Sequence, residues 1–156
     1  MSSIAFNDQE AMNQLVSEEF GEWSNSFVVD QKLINDFADL SGDHQWIHVD
    51  EQRAKSEGPF GCTIAHGFLI LACMSRFEHG ESILDKISGF KFMTNYGSNK
   101  LRFLDPVPVN SEVHSRNRVK SIEVSDRGTK ITMEQNVHVV GNERPSLVYE
   151  LILMMF

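Results

Sequence analysis

The run Ile64-Ala65-His66-Gly67-Phe68-Leu69-Ile70-Leu71-Ala72-Cys73-Met74 decides the architecture. It follows the break Gly58-Pro59-Phe60-Gly61 and reads as a helix over roughly residues 65–77. Almost no polar residue interrupts it, and a helix that is apolar all round is expected to be buried on every side. Something must wrap it. Downstream, from Ile87 onward, the chain reads as strands separated by turn signals at Asp105-Pro106, Asp126-Arg127-Gly128 and Gly141-Asn142. Val113 to Lys120 alternates with period two, with His114, Arg116, Arg118 and Lys120 on one face and Val113, Ser115, Asn117 and Val119 on the other. Ile131, Met133, Val137 and Val139 share a phase in the run 131–140, and Leu147 to Phe156 closes the chain with an apolar strand.

Upstream, the first half is helical. Gln9 to Glu19 is a candidate helix, and Asp30 is placed to cap a second over 31–40, where Leu33, Ile34, Phe37 and Leu40 recur at helical spacing. Ser41-Gly42-Asp43 ends it, because Gly readily takes the left-handed conformation that terminates helices. A short helical stretch follows near Glu51 to Ser56. Helices first and then consecutive strands describe an α+β fold, an antiparallel sheet packed on helices. A curved sheet around the one buried helix satisfies the pattern.

The 156 residues are enough for one domain, and 41% apolar with 23% charged residues excludes disorder or a coiled coil as the main architecture. A net charge of −8 argues against general binding to nucleic acid or to acidic membranes, both of which rely on a positive field. The opening, MSSIAFNDQEAMNQLV, has neither a basic n-region nor an apolar core, so the mature chain is expected to begin near Met1. The longest apolar run, Phe68 to Met74, is far short of the ~20 residues that cross a bilayer. Cys62 and Cys73 sit in or beside apolar sequence and make a poor disulfide framework, which points to a reducing, cytoplasmic setting.

Chemistry concentrates in Ser41-Gly42-Asp43-His44-Gln45-Trp46-Ile47-His48-Val49-Asp50, followed shortly by the 58–67 segment. Asp43 and His48 lie five apart, about 140° round a continuous helix at ~100° per residue, so they converge only on a turn. The Ser-Gly break before Asp43 supplies one. A carboxylate beside an imidazole is a natural acid/base pair, since the first fixes the tautomer and the second titrates near neutrality. The plainer alternative is that Asp43 caps the next turn and His48 is a structural histidine. A metal reading of His44 and His48 fails the HExxH pattern, because Gln45 stands at the Glu position and Ile47 and Val49 favour extended chain.

SGDHQWIHVD at 41–50, GPFG at 58–61 and IAHGF at 64–68 opening the apolar helix resemble the MaoC-like dehydratases. This is the hot-dog-fold group that contains the (R)-specific enoyl-CoA hydratases, and the similar branch is the one named after nodulation protein N. Asn95-Tyr96-Gly97-Ser98-Asn99-Lys100-Leu101-Arg102-Phe103 leading into Pro106 resembles that branch as well, so most of the chain is covered. The resemblance implies one hot-dog domain over 1–156 that reversibly hydrates a trans-2-enoyl-CoA to the (R)-3-hydroxyacyl-CoA. It implies no metal and no cofactor beyond the coenzyme A thioester itself. Matched by position, Asp43 and His48 are the catalytic pair and Gly67 offers its N–H to the thioester carbonyl. Gln45 and Ser75 fall where substrate is bound, and many members have Asn-Pro where this chain has Gln45-Trp46.

Gly67 opens the apolar helix, so its N–H is one the helix leaves unpaired, at the positive end of the dipole. His66 beside it reads as a local hydrogen-bonding group, Cys73 as inert packing and Met154-Met155-Phe156 as core filling, while His79, His114 and His138 have no partner pattern. Residues 86–120 hold seven basic side chains (Lys86, Lys91, Lys100, Arg102, Arg116, Arg118, Lys120) against Asp105 and Glu112, a place for the phosphates of coenzyme A or simply a solvated face. Through Glu51 the chain has one basic residue, Lys32, against eleven acids, which disfavours docking of an acidic carrier protein there. One sheet around one helix leaves an open edge and an incompletely covered helix, so a homodimer or dimer of dimers is expected, with the site at the junction in the resembling family. A hot-dog thioesterase and a non-catalytic acyl-CoA-binding module are the alternatives to hydration.

Overall fold

The computed structural model describes residues 3–156; the expectation about Met1 lies outside them. In chain order the elements are β1 (Ile4–Ala5), α1 (Gln9–Asn13), β2 (Phe27–Val29), α2 (Gln31–Ser41), α3 (Trp46–Val49), α4 (Glu51–Glu57), α5 (Gly67–Ala72), β3 (Ile87–Ser88), β4 (Met93–Phe103), β5 (Ser111–Ser125), β6 (Gly128–Val139) and β7 (Leu147–Met155). Five strands form an antiparallel sheet in the order β2-β5-β6-β7-β4, while β1 and β3 pair in parallel as a separate ribbon.

The alternation read from β5 holds, with Val113, Ser115 and Val119 buried on the inner face. A register shift between Val119 and Ser121 then changes phase, so that Ile122 turns inward opposite Ile131. Leu69, Ile70 and Cys73 of the α5 segment share one core cluster with Val29, Val113, Val137 and Leu147, and Leu101 packs against it. Those residues come from all five strands, so the sheet must curve round the helix to reach it. A second cluster, under Met12 and Ile87, fills the other end with Val119, Ile131, Leu153 and Met155.

Four expectations are corrected. The candidate over 9–19 stops at Asn13, because Val16 is drawn into a bridge with Val119 and the Ser17 N–H donates to Val119 O. The apolar helix is α5 alone: the chain tightens at Cys73 into a 3₁₀ turn, Met74–Arg76. Nor is it buried all round, since Phe68 is 61% exposed against Phe103, on the side of the sheet's open edge. Finally, Ile47 and Val49 are not extended but lie in the helical turn α3, closed by the Asp50 N–H on Trp46 O. The caps of α2 are as read, with the Leu33 N–H donating to Asp30 Oδ1 at 2.8 Å and Gly42 left-handed at φ 80°.

The two sheet edges differ. Beyond the short β2, residues 17–24 run along β5, with the N–H groups of Ser17, Gly21 and Ser24 on the carbonyls of Val119, Asn117 and Ser115. On the other side β4 is bare: residues 94–100 are all exposed, and the strand carries register shifts between Asn95 and Gly97 and between Ser98 and Lys100.

His66, His79, His114 and His138 are each held below the ordinary imidazole pKa of 6.5, chiefly by burial. A histidine whose folded pKa is lowered stays neutral in the fold while the unfolded chain takes up the proton. Stability is therefore complete above about pH 6.5 and falls as pH drops through the window below it. Thermal unfolding followed from about pH 7.5 to 5.5 is expected to show a falling midpoint, and a flat profile over that range would contradict it.

Candidate active site

Asp43 lies in the turn between the left-handed Gly42 and α3, and His48 is the third residue of that helical turn. Gln31 on α2 fixes its backbone: Gln31 Nε2 donates to His48 O at 2.8 Å while Oε1 accepts from the Thr63 hydroxyl at 2.5 Å. The Ile64 N–H donates to Ile47 O, and residues 63–65 pair in turn with 107–109 through Ala65 N–H on Val107 O and Val109 N–H on Thr63 O. The α2 helix, the 43–48 turn and the entry to α5 are thereby held as one unit. Neither Gln31 nor Thr63 carries a motif; the i, i+17 and i, i+32 contacts exist only in the fold.

The unit brings together Asp43, His48 and His66, which offer one nitrogen or carboxylate oxygen each, all within 4.8 Å of one another. Asp43 is exposed; the two histidines are buried, at 6% and 3%. His48 Nδ1 stands 2.7 Å from Ile64 O, and because a carbonyl only accepts, Nδ1 carries the proton and Nε2 presents its lone pair. By the same logic His66 Nε2–H donates to Asp43 O at 2.8 Å, leaving Nδ1 buried without a partner among the described residues. The rings of His48 and His66 stack at 3.8 Å, 25° apart. Imidazole lone pairs lie in the ring plane, so stacked rings send them side by side instead of onto one point. The cluster suits proton handling better than chelation of a cation.

A cavity of about 290 Å³ opens beside this cluster, lined by His48 and Gly67 with Phe60, Ile64, Ile70 and Phe103 among its apolar walls. The Gly67 and Phe68 N–H groups, at the start of α5, find no acceptor among the described residues. Gly67 sits in a close approach: a Cβ there would lie 2.6 Å from the Phe103 ring, which would have to shift to admit it. The neighbour met there is part of this chain, a contact that spacing in the sequence did not suggest.

Of the other sequence candidates, Gln45 caps α3 through its backbone, its N–H 3.3 Å from Asp43 Oδ1, and its side chain is exposed outside the cavity wall. Ser75 is exposed on the 3₁₀ turn and does not line the cavity. His44 is 3.7 Å from Asp39 at the surface. Cys62 and Cys73 are free thiols. The basic segment is largely engaged: Arg118 pairs with Glu134 and Glu18, Lys120 with Glu150 and Lys86 with Glu81, while Arg116 lies over the rings of Phe20 and Trp23. Lys91, Lys100 and Arg102 have no carboxylate partner among the described residues, and the last two lie on the bare strand β4. No helix among the described residues is long and apolar enough to cross a membrane.

Residues 12–142 match the family model described as MaoC like domain. The chain is 44% identical over 131 residues to 3-hydroxyacyl-thioester dehydratase Z of Mycobacterium tuberculosis, covering 83% of this chain and 84% of that protein. It is 43% identical over 118 residues to nodulation protein N of Rhizobium meliloti, covering 74% and 68%. Among solved structures, the (R)-hydratase from A. caviae superposes with a TM-score of 0.69 at 24% identity, over 90% of this chain and 98% of that one. The ChsH1-ChsH2 complex from M. tuberculosis gives 0.71 at 15% identity, over 95% of each chain. The architecture is the hot-dog fold expected from the sequence.

Proposed function

Because the chain belongs to the MaoC-like dehydratase family, we propose that it is a hydro-lyase of 3-hydroxyacyl thioesters, acting as an (R)-specific enoyl-CoA hydratase. It adds water reversibly to a trans-2-enoyl-CoA and gives the (R)-3-hydroxyacyl-CoA. The observation that carries this reading is the convergence of Asp43 and His48 beside an apolar cavity whose wall includes Gly67 with a free N–H. Water held between the pair loses a proton to His48 Nε2 as its oxygen attacks the β-carbon, and the Asp43 carboxylate orients it and stabilises the imidazolium. Negative charge moves to the thioester oxygen, where the Gly67 N–H meets it. The proton then passes to the α-carbon, and both groups end the turnover as they began. Only protons and water move, so the reading includes no redox cofactor and no metal.

Incubation with a trans-2-enoyl-CoA is expected to abolish the enoyl absorbance without releasing free thiol. Thiol release would favour a thioesterase, and tight binding with neither change a binding module. A series of increasing acyl length, offered on coenzyme A and on a carrier protein, then sets the substrate range. Gln45 and Ser75 are read as substrate-binding by the family resemblance alone, since neither lines the cavity, and the whole of 1–156 as one hot-dog domain working in the cytoplasm.

The functional form is read as a homodimer, or a dimer of dimers, joined through β4. Unpaired N–H and C=O groups along residues 94–100 and the exposed rings of Phe68 and Phe103 on one side give a second copy both hydrogen bonds and apolar surface. Light scattering at micromolar concentration is expected to return at least twice the chain mass; a monodisperse, active monomer would refute the pairing.

A further inference from the structure

We propose that His66 is a positioning residue that holds Asp43 in register with His48, through its Nε2–H bond to the Asp43 carbonyl and its stack on the His48 ring. The inference rests on the reading of Asp43 and His48 as the proton-handling pair. Asp43 is exposed, and its other polar contacts are long: Ser41 Oγ to its N–H at 3.3 Å and the Gln45 N–H to its carboxylate at 3.3 Å. At 2.8 Å, the bond from His66 is the short one that ties this residue to the rest of the molecule.

His66 is itself well anchored. It is 3% exposed, its ring meets Phe37 at 5.0 Å as well as His48 at 3.8 Å, and its own carbonyl accepts from the Leu69 and Ile70 N–H groups at the start of α5. Movement of the 43–45 turn relative to α5 is therefore resisted at one point, and α5 also carries the Gly67 N–H. One side chain thus ties Asp43 to the segment that carries the donor aimed at the thioester oxygen, while Gln31 and Ile64 hold His48.

The unpartnered Nδ1 supports this role. If the slot between Phe37 and His48 needed only an aromatic filler, phenylalanine would occupy it without burying an unsatisfied nitrogen. Histidine accepts that cost and gains the bond to Asp43 O. Burial also lowers its pKa from 6.5, which favours the neutral ring with one N–H at pH 7.

The test compares His66→Phe, which keeps the ring and removes the donor, with His66→Gln, whose amide can reach the same carbonyl. Turnover of an enoyl-CoA, thermal midpoint and hydrogen exchange at the amides of Asp43, His44 and Gln45 are followed in each. His66→Phe is expected to lower kcat by about 10- to 100-fold with KM within about twofold, an unchanged or higher midpoint and faster exchange at the three amides. His66→Gln is expected to restore slow exchange and to recover about tenfold of the lost kcat. A His66→Phe enzyme with kcat within about twofold of the parent overturns the proposal, as does an equal loss in both variants or a loss that lies wholly in KM. If the parent protein hydrates no thioester, the functional reading fails separately and the exchange data decide alone. Faster exchange in the Phe variant but not in the Gln variant then upholds the tether, and unchanged exchange in the Phe variant overturns it.

Discussion

His48→Asn and Asp43→Asn are each expected to reduce hydration by between about a hundredfold and ten-thousandfold while the protein stays folded, the range that positioned acid/base groups supply. The choice of asparagine matters at 48. Its amide nitrogen falls near the place of Nδ1 and can keep the bond to Ile64 O, whereas the lone pair of Nε2 disappears. Alanine would remove both at once and leave a buried carbonyl without its donor. At 43 the side chain is exposed and its one contact, with the Gln45 N–H, survives as a bond to the amide oxygen. Loss of rate there cannot be ascribed to unfolding. The two groups pass one proton between water and substrate, so the double variant should be little slower than the worse single one. Near-parental turnover in either single variant, with the fold verified by circular dichroism, removes the pair from the mechanism.

Gly67→Val should be almost as damaging, about a hundredfold or more in kcat: the N–H remains, but a β-branched side chain crowds the thioester oxygen that this N–H is placed to meet. The Phe103 ring lies where the new side chain would go, 2.6 Å from its Cβ, so displacement of that ring is a second cause of the same loss. Alanine separates the causes. Like valine it keeps the N–H, but its single methyl crowds the substrate least; Gly67→Ala still meets Phe103, and adding Phe103→Leu makes room, so the double variant is expected to return to within about tenfold of the parent rate. Gly21→Ala, whose Cβ would meet only an ordinary contact at 3.5 Å, serves as the control and should leave the rate unchanged. If Gly67→Val retains full activity and its Michaelis constant, the oxyanion donor lies elsewhere and substrate does not sit over the start of α5.

What could be read from the sequence follows from how local its causes are. The caps of α2 depend on Asp30 and Gly42 alone, and the inward face of β5 on strict alternation, so both were legible. The order helices-then-strands sufficed for the fold class. Where the reading failed, a distant partner intervened: Val119 takes Val16 out of the first helix, and the Phe103 side of α5 leaves Phe68 uncovered. At the site, Asp43 and His48 offered a possible acid/base pair by residue type, but their assignment and that of Gly67 came from the resemblance of SGDHQWIHVD and IAHGF to the family. Gln31 and Thr63, equally necessary to hold the 43–48 turn against α5, are ordinary residues until the fold makes them neighbours. His66 was visible, but its bond to a backbone carbonyl 23 positions upstream could not be.

The two register shifts in β4 have a meaning for a chain whose sheet edge is bare. A flat strand with a row of free amides is a template onto which further strands add without limit, the geometry of fibril growth. At Tyr96 and Asn99 this edge carries an extra residue that breaks the repeat of its hydrogen bonds, so an arbitrary extended segment finds no continuous ladder on it. A copy of the same strand, bearing the same two interruptions in reversed order, can be set against it so that irregularity meets irregularity. If two copies pair through β4 as proposed, the bulges work as the wards of a lock, admitting the same strand and hindering the indefinite addition of others.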